Sequence, residues 1–469
     1  MSSPHQRRPA SSSRPRRRPH PRSVPAAAVE PTPSALERLL DEASAREAPP
    51  VTSFAAAGLP AVLVDALARR GINAPFAIQA RALPDAIAGR DVLGRAQTGS
   101  GKTLAFGLPT LARLSGRRSR PRHPRGLVLV PTRELAMQVA DALRPLADAV
   151  DLRIVAVFGG SPYGRQLAAL ERGVDIVIAT PGRLIDLIDR GACSLSAVSV
   201  AVLDEADHMA DLGFLPAVVR LLDDVPADGQ RLLFSATLDR GVDRLVSAYL
   251  GEPAVHAVAP AASPVEAMDH HAFLLEGGDK VAVAAEIAAR PGRTLVFVRT
   301  KHGADRLAKQ LGKAGVPAAA IHGGLSQPAR QRALSGFADG HPRVLVATDV
   351  AARGIHVDDV DLVMHFDPPN DHKDYLHRSG RTARAGARGT VVSFIQPDQE
   401  RAVTRLHRDA QVTPTSARVH PGHSEVRRLA ESGTPVRPLQ SSPQPARRAP
   451  GQLRAGRSKQ RQHRRDTAA

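Results

Sequence analysis

The sequence predicts an α/β protein made of two tandem parallel-sheet units flanked by basic, disordered arms. Three observations carry this. Short apolar runs alternate with helical stretches over most of the chain, the pattern of parallel strands joined by crossover helices. Asp91-Val92-Leu93 leads into Ala96-Gln97-Thr98-Gly99-Ser100-Gly101-Lys102-Thr103, a strand running through a glycine loop into a helix. The apolar run Val200-Ala201-Val202-Leu203 closes in Asp204-Glu205-Ala206-Asp207, a strand with carboxylates at its end.

Residues 1–50 are rich in Pro, Ser and Arg and lack aromatic side chains. They read as a disordered tail, apart from a short helix at Ser34–Ala45. From Val51 the alternation begins. Strands are expected at 127–130, 154–158, 175–179, 200–203 and 231–234, which makes 51–258 a first unit. A Pro/Ala-rich link, Gly251–Val265, follows. A second set, from near His271, has strands at 294–298, 318–321, 343–347, 362–365 and 389–394, making 259–412 a second unit. Residues 413–469 return to Pro, Arg, Ser and Gln and read as a second disordered tail.

The 469 residues carry a formal charge of +18, concentrated at the ends. Residues 1–29 hold seven Arg and no acid, and residues 413–469 hold eleven Arg and one Lys against three acids. That leaves +2 for residues 30–412. Basic arms of this kind suit phosphate backbones without sequence preference, or act as solubilising tails. Cys193 is the only cysteine, which excludes an internal disulfide and a cysteine-based zinc site. The 18 histidines show no metal-ligand spacing. No apolar stretch is long enough for a membrane span, and the Arg/Pro-rich start is unlike a secretory signal. The expected compartment is the cytoplasm.

Glycine-loop N–H groups at a helix N-terminus converge on phosphate oxygens, and the helix dipole adds positive charge. Gly99 and Gly101 let the backbone come close, Lys102 can reach the β- and γ-phosphates, and Thr103 can ligate Mg²⁺. Ala96 stands where the usual loop has glycine. Asp204 lies at a strand's C-terminal end, where open α/β sheets put their ligands, and one carboxylate suits a Mg²⁺ ion that keeps several waters. Glu205 is then placed to orient or deprotonate an attacking water. In the second unit Arg378, Arg381 and Arg384 recur at i, i+3 and i+6. They form either a basic helix face or a set that stabilises charge on a γ-phosphate.

With these features the chain resembles DEAD-box ATP-dependent RNA helicases of bacterial type, over roughly residues 51–412. Phe54, Pro75 and Ile78-Gln79 are similar to that family's adenine-reading element. Pro131-Thr132-Arg133-Glu134-Leu135-Ala136, Gly159-Gly160, Thr180-Pro181-Gly182-Arg183, Ser235-Ala236-Thr237, His322-Gly323, Gln327-Pro328-Ala329-Arg330 and Ala347–Gly354 match further motifs in order. The resemblance implies two RecA-like domains, with ATP and Mg²⁺ as cofactors and RNA as partner. It implies that Phe54 stacks on adenine, Gln79 reads its edge, and Gln97, Thr98 and Ser100 line the phosphate loop. Asp349 would lie near the ribose, and Arg381 and Arg384 would be arginine fingers. Ser235 and Thr237 would couple hydrolysis to closure, with His377 and Arg378 reaching across the cleft to the acidic motif that includes Asp207. Pro131, Arg133, Gly160, Thr180, Arg183, Arg330 and Thr348 would follow the RNA backbone. Phe76 replaces the family's usual Thr, and Ser379 its frequent Ile. Local unwinding of short duplexes is the expected activity. An ATP-gated RNA clamp, an annealing factor and a DNA helicase on the same two-domain architecture are the rivals, the last disfavoured by the resemblance, and ribosomal or RNA-decay partners stay open.

Overall fold

The computed structural model describes residues 35–45, 51–96, 99–237, 240–258, 268–276, 278–352, 360–383 and 388–433. Seven strands form the first sheet: β1 (Val92–Arg95), β2 (Gly126–Leu129), β3 (Ile154–Val157), β4 (Ile176–Ala179), β5 (Val200–Asp204), β6 (Gln230–Ser235) and β7 (Ala254–Ala257). Their order is β3-β4-β2-β5-β6-β1-β7, and every pairing is parallel. The second sheet holds β8 (Met268–Leu274), β9 (Arg293–Phe297), β10 (Ala318–Ile321), β11 (Val344–Ala347), β12 (Val360–His365), β13 (Gly389–Ile395) and β14 (Thr415–Arg418). Its order, β10-β11-β9-β12-β13-β8-β14, repeats the first, again all parallel.

Both sheets are covered on both faces, which is why their strands read as continuous apolar runs. Val128, Val200 and Val202 pack into the core on one face of the first sheet, and Leu127, Ala201 and Leu203 into the core on the other. The second sheet divides in the same way, with Val296 and Val298 on one side and Leu295 and Phe297 on the opposite side. Because every strand is parallel, the C-terminal ends of each sheet lie along one edge.

Three expectations need correction. The link Gly251–Val265 is not free of structure, because it contains β7, the edge strand beside β1. The expected helix near Ser34–Ala45 spans Ala35–Ala45 and is docked rather than adrift in a disordered tail. Leu40 and Ala43 are buried, Asp41 pairs with Arg95 at 2.7 Å, and Arg81 donates to the Ala43 carbonyl at 2.9 Å. Residues 413–433, assigned to the disordered tail, instead extend the second sheet. There β14 pairs with β8, and the helix Ser424–Ala430 buries Val426 and Leu429. In both segments a few correctly spaced aliphatic residues outweigh a polar, Pro- and Arg-rich composition. Residues 434–469 lie outside the described residues. Eight Arg and Lys459 against Asp466 give them +8, nearly all of the C-terminal charge. Among the described residues, no helix is long and apolar enough to cross a membrane.

The second unit contains a histidine cluster that sequence spacing does not reveal. His365 and His407 both pack edge-on to the Tyr375 ring, and His270 Nδ1 lies 2.7 Å from the Tyr375 hydroxyl. Burial, then Arg378, His407 and His270, holds the His365 pKa well below its ordinary value. Burial, then His270, lowers that of His407 to about 4.

Two outcomes follow. A chain ending at Val412 loses β14 and leaves apolar surface bare, so it is expected to be less stable by about 3 kcal/mol or more. A chain ending at Gly433 should melt like the full-length protein, and thermal denaturation of the two truncations checks this. Because His365 and His407 have depressed pKa values when folded, they stabilise the fold fully above about pH 6.5. That stability is lost as pH falls toward 4, by up to about 1.4 kcal/mol per pH unit per histidine. Melting from pH 7.5 to 4.5 should show the decline, and His407→Gln should flatten it. Parallel curves would rule the cluster out as its source.

Candidate nucleotide and nucleic-acid site

The C-terminal edge of the first sheet divides into two halves. On β5, β6 and β1, which are neighbours, stand the carboxylates, Ser235 and the glycine loop. On β3, β4 and β2, also neighbours, stand Gly160, Thr180 and Arg133. The edge thus has an acidic and phosphate-binding half beside a glycine- and arginine-rich half.

In the first half the loop after β1 takes left-handed backbone at Gly99 and Gly101, with φ of 85° and 87°, a region that favours glycine. Gly101 caps the helix Lys102–Leu114. Lys102 is buried, and its Nζ donates to the Ala96 carbonyl at 2.8 Å. Ala96 therefore supplies through its backbone a resting partner for the lysine. Thr103 is half-buried on the first turn, and Ser100 is half-buried in the loop. Gln97 and Thr98 lie outside the described residues.

Asp204 ends β5 and is buried. Burial pushes its carboxyl up to about 7, Lys102 opposes the rise, and Glu205 and Asp207 add to it. The buried Asp204 carboxylate and the Thr103 hydroxyl are hard oxygen donors, of the kind that suits a divalent cation keeping several waters. Glu205 adopts a left-handed φ of 54°, a strained backbone for a residue with a side chain. Its carboxylate lies 3.1 Å from His208 Nδ1, a buried partner that the sequence reading did not single out. The signal was available in the i, i+3 spacing of Glu205 and His208.

Asp207 ties β5 to β6. Its N–H donates to Ser235 Oγ at 3.2 Å, and Ser235 Oγ donates to the Thr237 carbonyl at 2.7 Å. The Asp207 carboxylate accepts from the Thr237 N–H at 2.9 Å and from Thr237 Oγ1 at 2.8 Å. These three residues form one closed hydrogen-bonded set.

In the other half, Arg133 reaches over Gly159 and Gly160. Gly160 has a φ of 81°, and a Cβ there would stand 2.5 Å from Arg133 Nη1. Arg183 donates to the Ser161 carbonyl at 3.2 Å, and its guanidinium stacks on Tyr163 at 4.0 Å. Thr180 is half-buried at the head of the helix Pro181–Asp189. Pro131 is buried just past the end of β2.

Several placements depart from expectation. Phe54 is 2 % exposed and packed in the apolar core, so its ring presents no free face. Gln79 is buried with both ends of its amide engaged: Oε1 accepts from the Phe76 N–H at 2.9 Å, and Nε2 donates to the Gly101 carbonyl at 2.9 Å. It braces the phosphate loop, and its amide keeps a second N–H and a second oxygen lone pair beyond these two bonds. Arg330 lies not on an open surface but in a buried ion pair, its Nε 2.8 Å from Glu134 of the first unit, which Gln327 also contacts at 3.2 Å. Arg378 binds Asp349 within the second unit, at 2.5 and 2.7 Å, and the Asp367 carbonyl at 2.7 Å. It does not cross to the acidic motif, and Asp349 is occupied by this pairing. His377 does face the first unit, 3.8 Å from Asp211. The helix His372–Ser379 stops at Gly380, so Arg381 falls in the following turn and does not share a helical face with Arg378. Arg381 lines a small cleft with Phe297, Asp349 and His377. Arg384 lies outside the described residues. Thr348 is half-buried at the end of β11.

Comparison with known proteins agrees with this geometry. Residues 76–245 match the DEAD/DEAH box helicase family, and residues 279–386 match the helicase conserved C-terminal domain. DEAD-box ATP-dependent RNA helicase 9 of Oryza sativa is 42% identical over 360 residues, covering 75% of this chain and 57% of the relative. The chloroplastic DEAD-box ATP-dependent RNA helicase 3A of Zea mays is 44% identical over 367 residues, covering 76% and 49%. The chain therefore spans about half to three fifths of these two curated relatives. The solved structure of S. cerevisiae Dbp5 bound to RNA and ADP BeF3 superposes with a TM-score of 0.69 at 27% identity, covering 81% of this chain and 98% of that one. These relatives are plant and fungal, and the expected bacterial type draws no support from them. The two matched models together span more than half of the sequence, in the order that the two sheets occupy, and the chain belongs to the DEAD-box helicase family.

Proposed function

We propose that this chain is an RNA-dependent ATPase that locally opens short RNA duplexes. The observation that carries the reading is the Asp207–Ser235–Thr237 set, which ties the end of β5, bearing Asp204 and Glu205, to the end of β6, the strand between it and the glycine loop after β1, beside a glycine- and arginine-rich surface. The relatives named as ATP-dependent RNA helicases, and the RNA-bound Dbp5 structure, support it.

In this reading the N–H groups from Gly99 to Thr103 and the helix dipole hold the phosphates of ATP. Lys102 exchanges the Ala96 carbonyl for a phosphate oxygen. Thr103 and Asp204 would hold Mg²⁺, which supplies neutralisation of phosphate charge when bound. Glu205, held by His208, takes a proton from the attacking water. Arg381 and Arg384 serve as fingers from the second unit. Arg133, Gly160, Thr180, Arg183 and Thr348 contact the RNA backbone through phosphate and 2′-OH groups. Arg330 acts on RNA indirectly, by holding Glu134 and so the two units together. A bent strand held this way cannot remain in a regular duplex. The same closure would serve an ATP-gated clamp, favoured by the buried Glu134–Arg330 pair, and release of a short labelled strand with and without ATP separates the two. Charge in 434–469 supports added, sequence-tolerant RNA contact. The cytosol is the proposed compartment, although one relative is named mitochondrial and another chloroplastic; fractionation decides it.

Lys102→Ala should lower RNA-stimulated turnover at least about 100-fold, the scale of losing one preorganised charge-stabilising donor. Glu205→Gln should lower kcat about 10²- to 10⁴-fold while ATP still binds. Steady-state ATPase and equilibrium nucleotide binding check both, and normal hydrolysis by either variant would remove its assigned role. Glu134→Ala and Arg330→Ala should each weaken RNA binding with a non-hydrolysable ATP analogue, and the double variant should cost little more than either alone. Fully additive losses would mean that the two residues act separately.

A further inference from the structure

Phe76 is 60 % exposed, the one phenylalanine among the large exposed hydrophobic side chains of the described residues. It caps the helix Ala77–Ile87, directly before the residues that brace the phosphate loop. A Cβ placed on Gly101 would stand 2.7 Å from Phe76 Cδ2, so the ring leans over the last glycine of that loop. Its backbone is fixed there by the Gln79 carboxamide, which also holds the Gly101 carbonyl. The ring is therefore anchored to the loop but keeps most of its surface open.

The two residues expected to handle the base are committed elsewhere. The Phe54 ring is in the core, and both ends of the Gln79 amide are satisfied by backbone. With the phosphates on the loop N–H groups, the nucleoside must leave the loop past one of its flanks. Phe76 is the exposed apolar ring at such a flank.

We infer that the Phe76 ring is the stacking platform for the nucleobase of the bound nucleoside triphosphate. The inference rests on the reading of this loop as the ATP site and adds a residue to it. Stacking on an aromatic face is tolerant of base identity, because every base has a π-face. Phe76 thus contributes affinity without selectivity, and selectivity for adenine is left to Gln79, whose amide keeps a second N–H and a second oxygen lone pair beyond its two backbone bonds.

The test is equilibrium binding of ATP and of GTP, each with Mg²⁺, to the full-length protein and to Phe76→Ala and Phe76→Tyr. Thermal melts of each variant confirm that it is folded. Stacking predicts that Phe76→Ala weakens both nucleotides by a similar factor, about tenfold or more on the scale of one base–aromatic stack. Phe76→Tyr should bind both as the wild type does. Wild-type affinity for both nucleotides in Phe76→Ala would overturn the inference, as would loss of ATP binding alone. Failure of the wild-type protein to bind either nucleotide would overturn the ATP-site reading itself and this inference with it.

Discussion

The hydrogen-bonded set around Asp207 is the constraint on which the site depends. A parallel sheet brings strand ends to one edge but does not fix the loops that leave them. Here the loop after β5 must present Asp204 and Glu205, and β6 ends beside it at Ser235. Asp207 locks one to the other through Ser235 and Thr237; Asp207 and Ser235 are buried, where hydrogen bonds are strong and unpaired groups are costly, and Thr237 stands at the exposed end of the set. A change in position of either loop is therefore transmitted to the other. The strained backbone of Glu205 is one consequence, since the turn must place Glu205 toward His208 while keeping Asp207 in the set.

The same edge explains how one fold can hold two ligands. The order β3-β4-β2-β5-β6-β1-β7 sorts the strand ends so that carboxylates and the glycine loop are contiguous, and glycines and arginines are contiguous beside them. The Asp207 set lies in the carboxylate half, next to Asp204 and Glu205. The buried Glu134–Arg330 pair fixes the other half against the second unit. A buried ion pair is weak evidence of net stability, because desolvation offsets its attraction. Its value here is geometric: it registers the two units.

Much of this was legible in the residues. The strand–glycine loop–helix segment and the apolar run ending in Asp204 placed the phosphate and carboxylate elements correctly, because strand ends and helix starts are local. Both sheets were visible because fully buried parallel strands leave continuous apolar runs. What stayed hidden depends on packing. The helix Ala35–Ala45 and β14 carry only a few aliphatic residues amid charge and proline, and only the surface they cover makes them ordered. The i, i+3, i+6 arginines suggested one helical face, yet the chain turns at Gly380. Phe54 and Arg330 matched family positions, but their burial, one in a core and the other against Glu134, is a property of the assembled fold. The Glu205–His208 pair is legible only as an i, i+3 spacing, which becomes a contact once the turn after β5 places both side chains together.

The account turns on whether the Asp207 set links the chemical site to RNA. The direct measurement is ATP turnover by full-length Asp207→Asn, with and without saturating single-stranded RNA, alongside ATP affinity. An asparagine amide keeps the size of the side chain but cannot accept both Thr237 bonds on one charged oxygen. Unchanged ATP affinity with turnover that RNA no longer raises is the expected result. RNA stimulation equal to that of the wild type would contradict the account.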